Sequence, residues 1–291
     1  MSLAAGRWPE FAGPAAGAGR RPGVLVVWRL EVAKLASLLR VRAIAILCMI
    51  VPFLAVAGLN LQSATPGDTP FGQWVHVSGL AIPMVILGFG AQWLLPVLTA
   101  VVAGDIFAAE DHFGTWKTIL TRSRTRGQLF AGKFAAAVTF AVAAMVVLTT
   151  ADLAAGLLAG RQPVVGLGGQ LVPAGHATML VIASWASQLL PVLGFTALAV
   201  LASVATRNPV AGVGIPVLIA WLLQIVTLIN LPAWGQQALL STPFLAWHGF
   251  WAQPAFYGPF REGLLTSAGW FAVCAAASWL VFARRTIGGA A

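Results

Sequence analysis

The charged side chains of this chain are concentrated in one polar stretch, residues 104–133, which lies between two apolar runs of membrane-spanning length. Only 9% of the 291 residues are charged, yet this stretch carries Asp105, Glu110, Asp111, Lys117, Arg122, Arg124, Arg126 and Lys133. The acidic residues come first, Gly114 follows, and the basic run comes last. A charged connector between two long helices can pass a force from a cytoplasmic partner into the membrane. The alternative is a solvated loop that is basic because inner loops collect Lys and Arg, but that rule does not require the three acidic residues.

Four polar side chains inside the predicted membrane spans are candidates for lining a transport pathway: Gln92, Asp152, Gln188 and Gln224. Asp152 is the one ionisable residue among them, and a carboxylate within a span is costly unless it has a function. Its position toward the outer end of its span leaves open that it reaches water or a partner there. The three glutamines can hydrogen-bond across helices, and we favour this structural role over pathway lining.

Motifs for catalysis, nucleotide binding and metal binding are missing from the sequence. There is no G-x-x-x-x-G-K-[ST] phosphate loop, no H-E-x-x-H and no G-x-S-x-G. His76, His176 and His248 fall on three separate loops, so we expect hydrogen-bonding roles rather than a shared metal site. Cys48 and Cys274 both fall within predicted spans, where we expect buried apolar side chains. The chain is therefore expected to bind no metal or nucleotide cofactor of its own.

Composition predicts an all-α polytopic membrane protein, because 59% of the residues are hydrophobic and the mean hydropathy is +0.87. A helix needs about 20 apolar residues to cross the hydrocarbon layer. Six runs meet this requirement: 43–61, 80–103, 131–158, 177–205, 209–231 and 264–283. The net charge of +9 comes from segments next to the spans, so it indicates membrane topology and not nucleic-acid binding.

The distribution of basic residues predicts the orientation. Of the 17 Lys and Arg residues, only Arg161 and Arg261 fall on one side of the six spans, and the others fall on the opposite side. The positive-inside rule then places both termini in the cytoplasm. We expect a multi-pass protein of a bacterial inner (cytoplasmic) cell membrane.

The segment 24–42 has the pattern of an amphipathic helix that lies in the membrane interface. Its apolar residues recur at steps of three and four, and the remaining face is mainly basic. The apolar face comprises Leu25, Trp28, Val32, Leu35 and Leu39, and the other face comprises Arg29, Glu31, Lys34, Arg40 and Arg42. Packing against a soluble partner is an alternative that is compatible with the first. The predicted organisation is a mobile cytoplasmic tail (1–23), this helix (24–42), a six-span domain (43–283) and a second cytoplasmic tail (284–291).

The largest outer loop, residues 232–263, is rich in aromatic residues. So many aromatic rings are not expected to remain in water. They form either short helices in the outer interface, a lid over the bundle, or a belt that anchors the ends of the spans.

Two motifs give the chain a resemblance to a known family. The pattern E-x-x-x-G-T-x-K-x-x-L-T begins at Glu110, a Gly-Lys pair opens the next span at Gly132, and W-R-L-E-V-A-K-L begins at Trp28. With these motifs the sequence resembles the permease subunit of type-2 ATP-binding-cassette exporters. The resemblance implies that the polar stretch and the N-terminal helix dock onto a separate cytoplasmic ATPase, which holds ATP and magnesium. The implied coupling residues are Glu110, Gly114, Thr115, Lys117, Arg126, Trp28, Glu31 and Lys34.

The function expected from the resemblance is that of a transporter subunit without an ATPase site of its own. A second copy or a homologous permease would complete the pathway, and a lack of fixed charge would favour an apolar or amphipathic substrate. A secondary transporter driven by an ion gradient is an alternative, for which only Asp152 is a candidate residue. An intramembrane enzyme would need paired polar groups within the spans, which are not seen. A non-transporting membrane or immunity protein also remains open.

Overall fold

Hydrophobic length determines the architecture, since six helices are long and apolar enough to cross a membrane. The computed structural model describes residues 23–62, 64–116, 125–229 and 231–285. In these ranges the α-helices are α1 (Val24–Ser37), α2 (Leu39–Leu61), α3 (Ala81–Ala103), α4 (Ala108–His112), α5 (Arg126–Ala159), α6 (Ala174–Ser187), α7 (Leu189–Thr206), α8 (Pro209–Thr227), α9 (Ala233–Ala238) and α10 (Gly258–Arg284). Short 3-10 segments cover Gly72–Trp74 and Thr242–Trp251. The prediction of an all-α polytopic protein with six spans is confirmed.

One small β-hairpin accompanies the helices. Strands β1 (Val164–Val165) and β2 (Leu171–Val172) pair antiparallel, with Val164 opposite Val172. The hairpin lies between α5 and α6, and we call this end of the bundle the hairpin end. The opposite end, where residues 104–116 meet α1, is called the basic end.

The fourth span is broken, which the hydropathy pattern does not indicate. α6 and α7 cross the membrane as two pieces that meet at Gln188. Pro191 has no N–H to donate to the carbonyl of Ser187, and its ring disfavours a regular turn there. The Gln188 amide donates to Ser184 O (3.2 Å) and to Ser187 Oγ (2.9 Å), so its side chain satisfies groups at the break.

Helix boundaries differ from the predicted spans where polar residues extend a helix beyond the apolar run. The third span begins at Arg126 instead of 131, because Thr125 and Gln128 form a reciprocal capping box. The sixth begins at Gly258 instead of 264, with Pro259 in its first turn. The fifth ends at Thr227 instead of 231.

α7 is the central helix of the bundle and packs against α10, α8, α3 and α5. α3 and α8 come together at Gly104 and Gly212. A Cβ atom on Gly212 would lie 2.1 Å from the carbonyl oxygen of Gly104, so neither position has room for a side chain. The two backbones are therefore in direct contact at the basic end.

The predicted helix 24–42 is divided in the structure, and its packing face is narrower than predicted. α1 ends at Ser37, Leu38 adopts an extended conformation, and Leu39 belongs to α2. Leu25 and Leu39 are exposed, whereas Val27 and Leu35 are buried. The reason is the close packing of α1 on α5: a Cβ on Gly132 would lie 2.4 Å from Val27 Cγ1. Only glycine fits at position 132, because any side chain there would clash with α1.

Residues 232–263 form a packed aromatic lid at the hairpin end. Phe244, Trp247 and Trp251 are buried, and Trp251 Nε1 donates to Ser184 Oγ at 3.0 Å. Other aromatic residues of the loop, including Trp234, remain exposed, as expected for membrane-interface anchors. The segment contains two short helices, α9 and Thr242–Trp251, as one of the hypotheses expected, and the second of them packs its aromatic residues over the spans.

Candidate coupling site

The segment after α3 is held in place by the central helix. Ser203 Oγ of α7 accepts hydrogen bonds from the backbone N–H groups of Phe107 (3.2 Å) and Ala108 (3.0 Å). These donors are at the start of α4, where a helix leaves its first N–H groups without internal partners. Ser203 is fully buried, so a serine of a membrane span fixes where α4 begins.

Glu110 of α4 is the centre of a cluster of charges that we call the Glu110 cluster, formed by Glu31, Lys34, Glu110 and Lys133. The side chains of Glu110 and Lys133 are buried, whereas that of Lys34 is half exposed. Glu110 Oε1 accepts from Lys34 Nζ at 2.6 Å and from Lys133 Nζ at 2.9 Å. Lys133 Nζ also lies 3.0 Å from Glu31 Oε1. Two acidic and two basic groups from α1, α4 and α5 therefore neutralise each other. Such a cluster is sensitive to the loss of one member, because a buried charge is then left without its partner.

Thr115 and Gly114 shape the chain immediately after α4. The Thr115 hydroxyl donates to Glu110 Oε2, and the backbone N–H of Thr115 donates to Glu110 O at 3.1 Å. Gly114 has a φ of +66°, a left-handed conformation that favours glycine. The G-T pair of the motif thus turns the chain so that Thr115 returns to Glu110.

Two further ion pairs connect the same segment to other spans. Arg40 of α2 pairs with Asp105, and Arg285, at the end of α10, pairs with Asp111. Arg126 Nη1 donates to the carbonyl oxygens of Ala283 (3.1 Å) and Arg285 (2.7 Å), and so it binds the C-terminal end of α10. The ends of α2, α5 and α10 are therefore joined to α4 and its flanking residues.

Aromatic rings form an apolar layer next to these charges. The ring of Phe107 packs edge-on against Phe282, with centroids 5.4 Å apart. The ring of Trp116 lies 5.5 Å from that of Phe282, and the Arg285 guanidinium lies 5.9 Å from the Trp116 ring. A cation at this distance from a ring face is attracted to it. Trp116 thus helps to hold Arg285 in place.

A cavity of about 750 Å³ opens beside the Glu110 cluster. Its walls include Phe113, the turn Asn208–Val210 and five charged side chains: Glu31, Lys34, Arg40, Asp105 and Glu110. Phe113 is 73% exposed and Val210 is 81% exposed. Asn208 caps α8 by accepting from the N–H groups of Val210 and Ala211, which holds this turn in a fixed position. The cavity therefore has an exposed apolar rim next to charged walls, which is suitable for a protein partner.

Most of the sequence-predicted coupling residues come together at the basic end. Ion pairs of the Glu110 cluster link Glu31, Lys34 and Glu110 by way of Lys133. Thr115 hydrogen-bonds to Glu110, and Gly114 directly precedes Thr115. Arg126 instead binds the end of α10. Trp28 is on α1 with its Nε1 donating to Thr139 Oγ1 of α5 at 2.9 Å. Lys117 lies outside the described residues, as do Arg122 and Arg124.

The structure shows which charges these side chains meet. Glu110 was expected to pair with a partner or with the basic run of residues 104–133, and its carboxylate meets Lys133 of that run and Lys34 of α1. Glu31 and Lys34 were assigned to the mainly basic face of α1; Glu31 pairs with Lys133 of α5, and the half-exposed Lys34 pairs with Glu110 of α4. The cause is the position of Gly132, which brings α1 against α5. Within this chain the charges therefore hold α1, α4 and α5 together.

Several functional residues were not identified from the sequence. Ser203 had no signal, because a single serine in an apolar helix is unremarkable. Arg40 and Arg285 were attributed to the positive-inside rule, although each pairs with an aspartate. Lys133 was part of the family-like motif, and its position after Gly132 was the signal that could have identified it.

The four pathway candidates are separated in the structure. Gln224 Nε2 of α8 donates to Gln92 Oε1 of α3, which confirms a link between helices for these two. Gln188 bonds within its own span. Asp152 was expected to reach water or a partner but is fully buried, and neither carboxylate oxygen has a hydrogen-bond partner in the described residues. That face of α5 is turned inward, because Gly156, one turn later, packs closely on Pro83 of α3.

The histidines do not form a shared site. Among the described residues, no group of three or more His, Cys, Asp or Glu side chains is close enough to hold a metal ion. The ring of His248 stacks on Trp247 with centroids 3.9 Å apart. Burial lowers the pKa of His248, and the Leu245 carbonyl 2.8 Å from Nδ1 opposes this change in part.

Comparison with known protein families gives one match. A family model described as ABC-2 family transporter protein matches residues 29–223, which is more than half of the chain. The matched region begins in α1 and includes the whole segment that forms the Glu110 cluster. No curated protein matches the chain.

Proposed function

Because the chain belongs to the ABC-2 family of membrane transport proteins, we propose that it is the permease subunit of an ATP-binding-cassette exporter. ATP and magnesium bind to a separate cytoplasmic ATPase, and this chain hydrolyses no ATP itself. The basic end faces that ATPase, and both termini are in the cytoplasm of a bacterial cell.

The observation that carries the proposal is the Glu110 cluster. It joins α1, α4 and α5 through ion pairs in which Glu110 and Lys133 are buried, and the neighbouring Arg40 and Arg285 pairs extend the connection to α2 and α10. Coupling between sites requires a physically connected element that moves as a unit. A force on the exposed rim of the adjacent cavity would therefore displace the ends of several spans together.

The pathway is proposed to lie between this chain and a second permease, either another copy or a homologue. α2, α8 and α10 are the least buried spans and carry many exposed apolar side chains, which are available to lipid or to a second subunit. The substrate is proposed to be apolar or amphipathic, since the spans contain few ionisable groups.

The test is co-purification with a candidate cassette ATPase from the same cell, followed by reconstitution in lipid nanodiscs. We expect ATP hydrolysis by the complex and none by the permease alone. Phe113→Asp, at the rim of the cavity, should reduce association with the ATPase by at least about tenfold.

Trp234→Asp is the matched control, because Trp234 is 75% exposed, close to the 73% of Phe113, but is at the hairpin end. It should leave association unchanged. Strong ATP hydrolysis by the purified chain without a partner would refute the proposed function.

A further inference from the structure

A cavity of about 310 Å³ lies between α2 and α3 and extends inward to α5 and α6. None of its eleven lining residues is charged, and none has a hydroxyl, carboxyl or amide side chain. Water in such a space would have no hydrogen-bond partners, and apolar cavities of this kind stay dry and take up apolar molecules. The chemistry of the walls therefore restricts the occupant to hydrocarbon.

The cavity is long and narrow. Its wall on α3 is a stripe along one helix face that runs from Ile86 to Leu98, or about 18 Å along the helix axis. Each end of the stripe is five residues from an end of α3, so the cavity lies at the depth of the hydrocarbon layer. A volume of about 310 Å³ spread over this length suits one extended hydrocarbon chain better than a compact ring system.

The cavity opens to the membrane on one side and ends in the protein core on the other. Leu47, Phe89 and Leu94 are exposed at its mouth, whereas Cys48 and Trp185 are buried at its inner wall. At this depth the mouth faces lipid chains and not water. A helix of a second subunit is about 10 Å wide, so it could cover the mouth but could not enter far enough to contact Trp185. A single lipid chain can do both.

We propose that this cavity binds one straight acyl chain of a membrane phospholipid. The chain enters between α2 and α3 and supplies the dispersion contacts that the walls lack when the space is empty. An unfilled space of this size in a packed structure is destabilising, so the bound chain is part of the packing between the first two spans. The proposal is independent of the exporter function, because it concerns binding by this chain alone.

The test uses a phosphatidylcholine that carries a photoreactive diazirine in the middle of a palmitoyl chain. The purified full chain is placed in lipid nanodiscs that contain this probe, irradiated, and analysed for labelled peptides by mass spectrometry. We expect labelling of the segments around Cys48 and Trp185, which are buried and so are out of reach of lipids that only surround the protein. Labelling confined to exposed positions such as Val273 of α10 would overturn the proposal without any variant.

Gly90→Leu fills the cavity from its α3 wall. A Cβ at Gly90 has no atom within 4 Å, so the leucine is accommodated without a clash. It should reduce labelling around Cys48 and Trp185 by at least about tenfold and leave labelling of exposed positions unchanged. Gly269→Leu in α10 is the matched control, because a Cβ there also has no atom within 4 Å, and it should be labelled like the wild type. Unchanged labelling of the Gly90→Leu variant would refute the site.

Competition and oligomeric state test the identity of the occupant. An excess of unlabelled dipalmitoyl phosphatidylcholine should suppress labelling around Trp185, whereas the diphytanoyl lipid, with methyl branches along its chains, should suppress it much less. Equal suppression by both lipids would contradict a narrow site for a straight chain. Labelling around Trp185 in the monomeric chain that is lost in a purified dimer would assign the cavity to a second subunit and reject the lipid, whereas equal labelling of both forms supports it.

Discussion

Lys133 Nζ lies 2.9 Å from Glu110 Oε1, although the two residues are separated by 23 positions along the chain. One belongs to the short helix that follows the second span, and the other is buried in the first turns of the third span. Their contact closes the polar stretch into a loop whose two ends are fixed to each other. A displacement of α4 is therefore passed directly to α5.

Glu110→Ala is expected to lower the stability of the chain and to uncouple ATP hydrolysis from transport. The substitution leaves the fully buried Lys133 without one of its two carboxylates, and removing one member of a buried pair costs about 3–5 kcal/mol. Thermal unfolding of the permease and ATP hydrolysis by the reconstituted complex are the two measurements. Substrate binding should change little, because the cluster is at the basic end.

The charge argument can be separated from simple loss of packing. Glu110→Ala combined with Lys133→Met should recover part of the lost stability, because the two most buried charges of the cluster are then removed and the remaining Glu31 and Lys34 carry opposite charges at more exposed positions. Glu262→Ala, at an exposed position of the hairpin end, should have no effect on either measurement. A double variant that is less stable than Glu110→Ala would contradict this explanation.

Gly132→Ala is expected to displace α1 from α5 and to weaken association with the ATPase. The new Cβ would lie 2.4 Å from Val27 Cγ1 and 2.6 Å from Val27 Cβ, so a change of rotamer cannot relieve the clash. Overpacking of this kind costs about 1–3 kcal/mol. Val27→Gly removes both clashing atoms and should partly restore association when added to Gly132→Ala.

The control for this variant is Gly58→Ala in α2. A Cβ at Gly58 has no atom within 4 Å, so the same chemical change is made without a clash. If Gly58→Ala and Gly132→Ala reduce association equally, contact between α1 and α5 is not the cause.

Gly114→Val is expected to impair coupling because the backbone at this position is left-handed, with φ of +66°. A β-branched residue in this conformation costs about 1–2 kcal/mol, and relief of the strain would move Thr115 away from Glu110. Gly114→Asn should be tolerated much better, since asparagine adopts the left-handed conformation more readily. The ratio of transport to ATP hydrolysis is the measurement, and equal ratios for the two variants would exclude a backbone cause.

The orientation can be checked with two single cysteines and a membrane-impermeant maleimide. Ala255→Cys at the hairpin end should react in intact cells, whereas Ser37→Cys at the end of α1 should react only after permeabilisation. Both positions are exposed, and the native Cys48 and Cys274 are buried. The reverse pattern of labelling would place the basic end outside and remove the basis for ATPase docking.

The sequence predicted the spans well because hydrocarbon thickness sets a simple requirement for length and hydropathy. It also placed the important charges in two short segments. It did not predict which charges would pair, because the contact between Lys34 and Glu110 joins residues 76 positions apart and depends on how α1 folds back onto α5. The way α1 packs on α5 is set by Gly132, because glycine has no side chain to keep the two helices apart. Hydropathy does not reveal this requirement.

The break at Gln188 and the role of Ser203 were missed for a different reason. Both depend on backbone groups that need a partner at one particular place, and neither changes the average polarity of a window of residues. Pro191 was visible in the sequence, but a proline within an apolar span can be accommodated in several ways. Asp152 was recognised as unusual, and only the packing of α5 against α3 shows that it is enclosed.

The contact between Gly104 and Gly212 gives α3 and α8 a point about which they can pivot. Gln92 and Gln224, which share a hydrogen bond, are each 12 residues from the glycine of their own helix, or about 18 Å along the axis. Neither glycine has a side chain that would interlock with the other helix. The two helices can therefore pivot at this contact without any change of rotamer. A swing of about ten degrees would separate the two amides by about 3 Å, which is enough to break their hydrogen bond. The hydrogen bond between the two glutamines would then be present in a closed arrangement of α3 and α8 and absent in an open one.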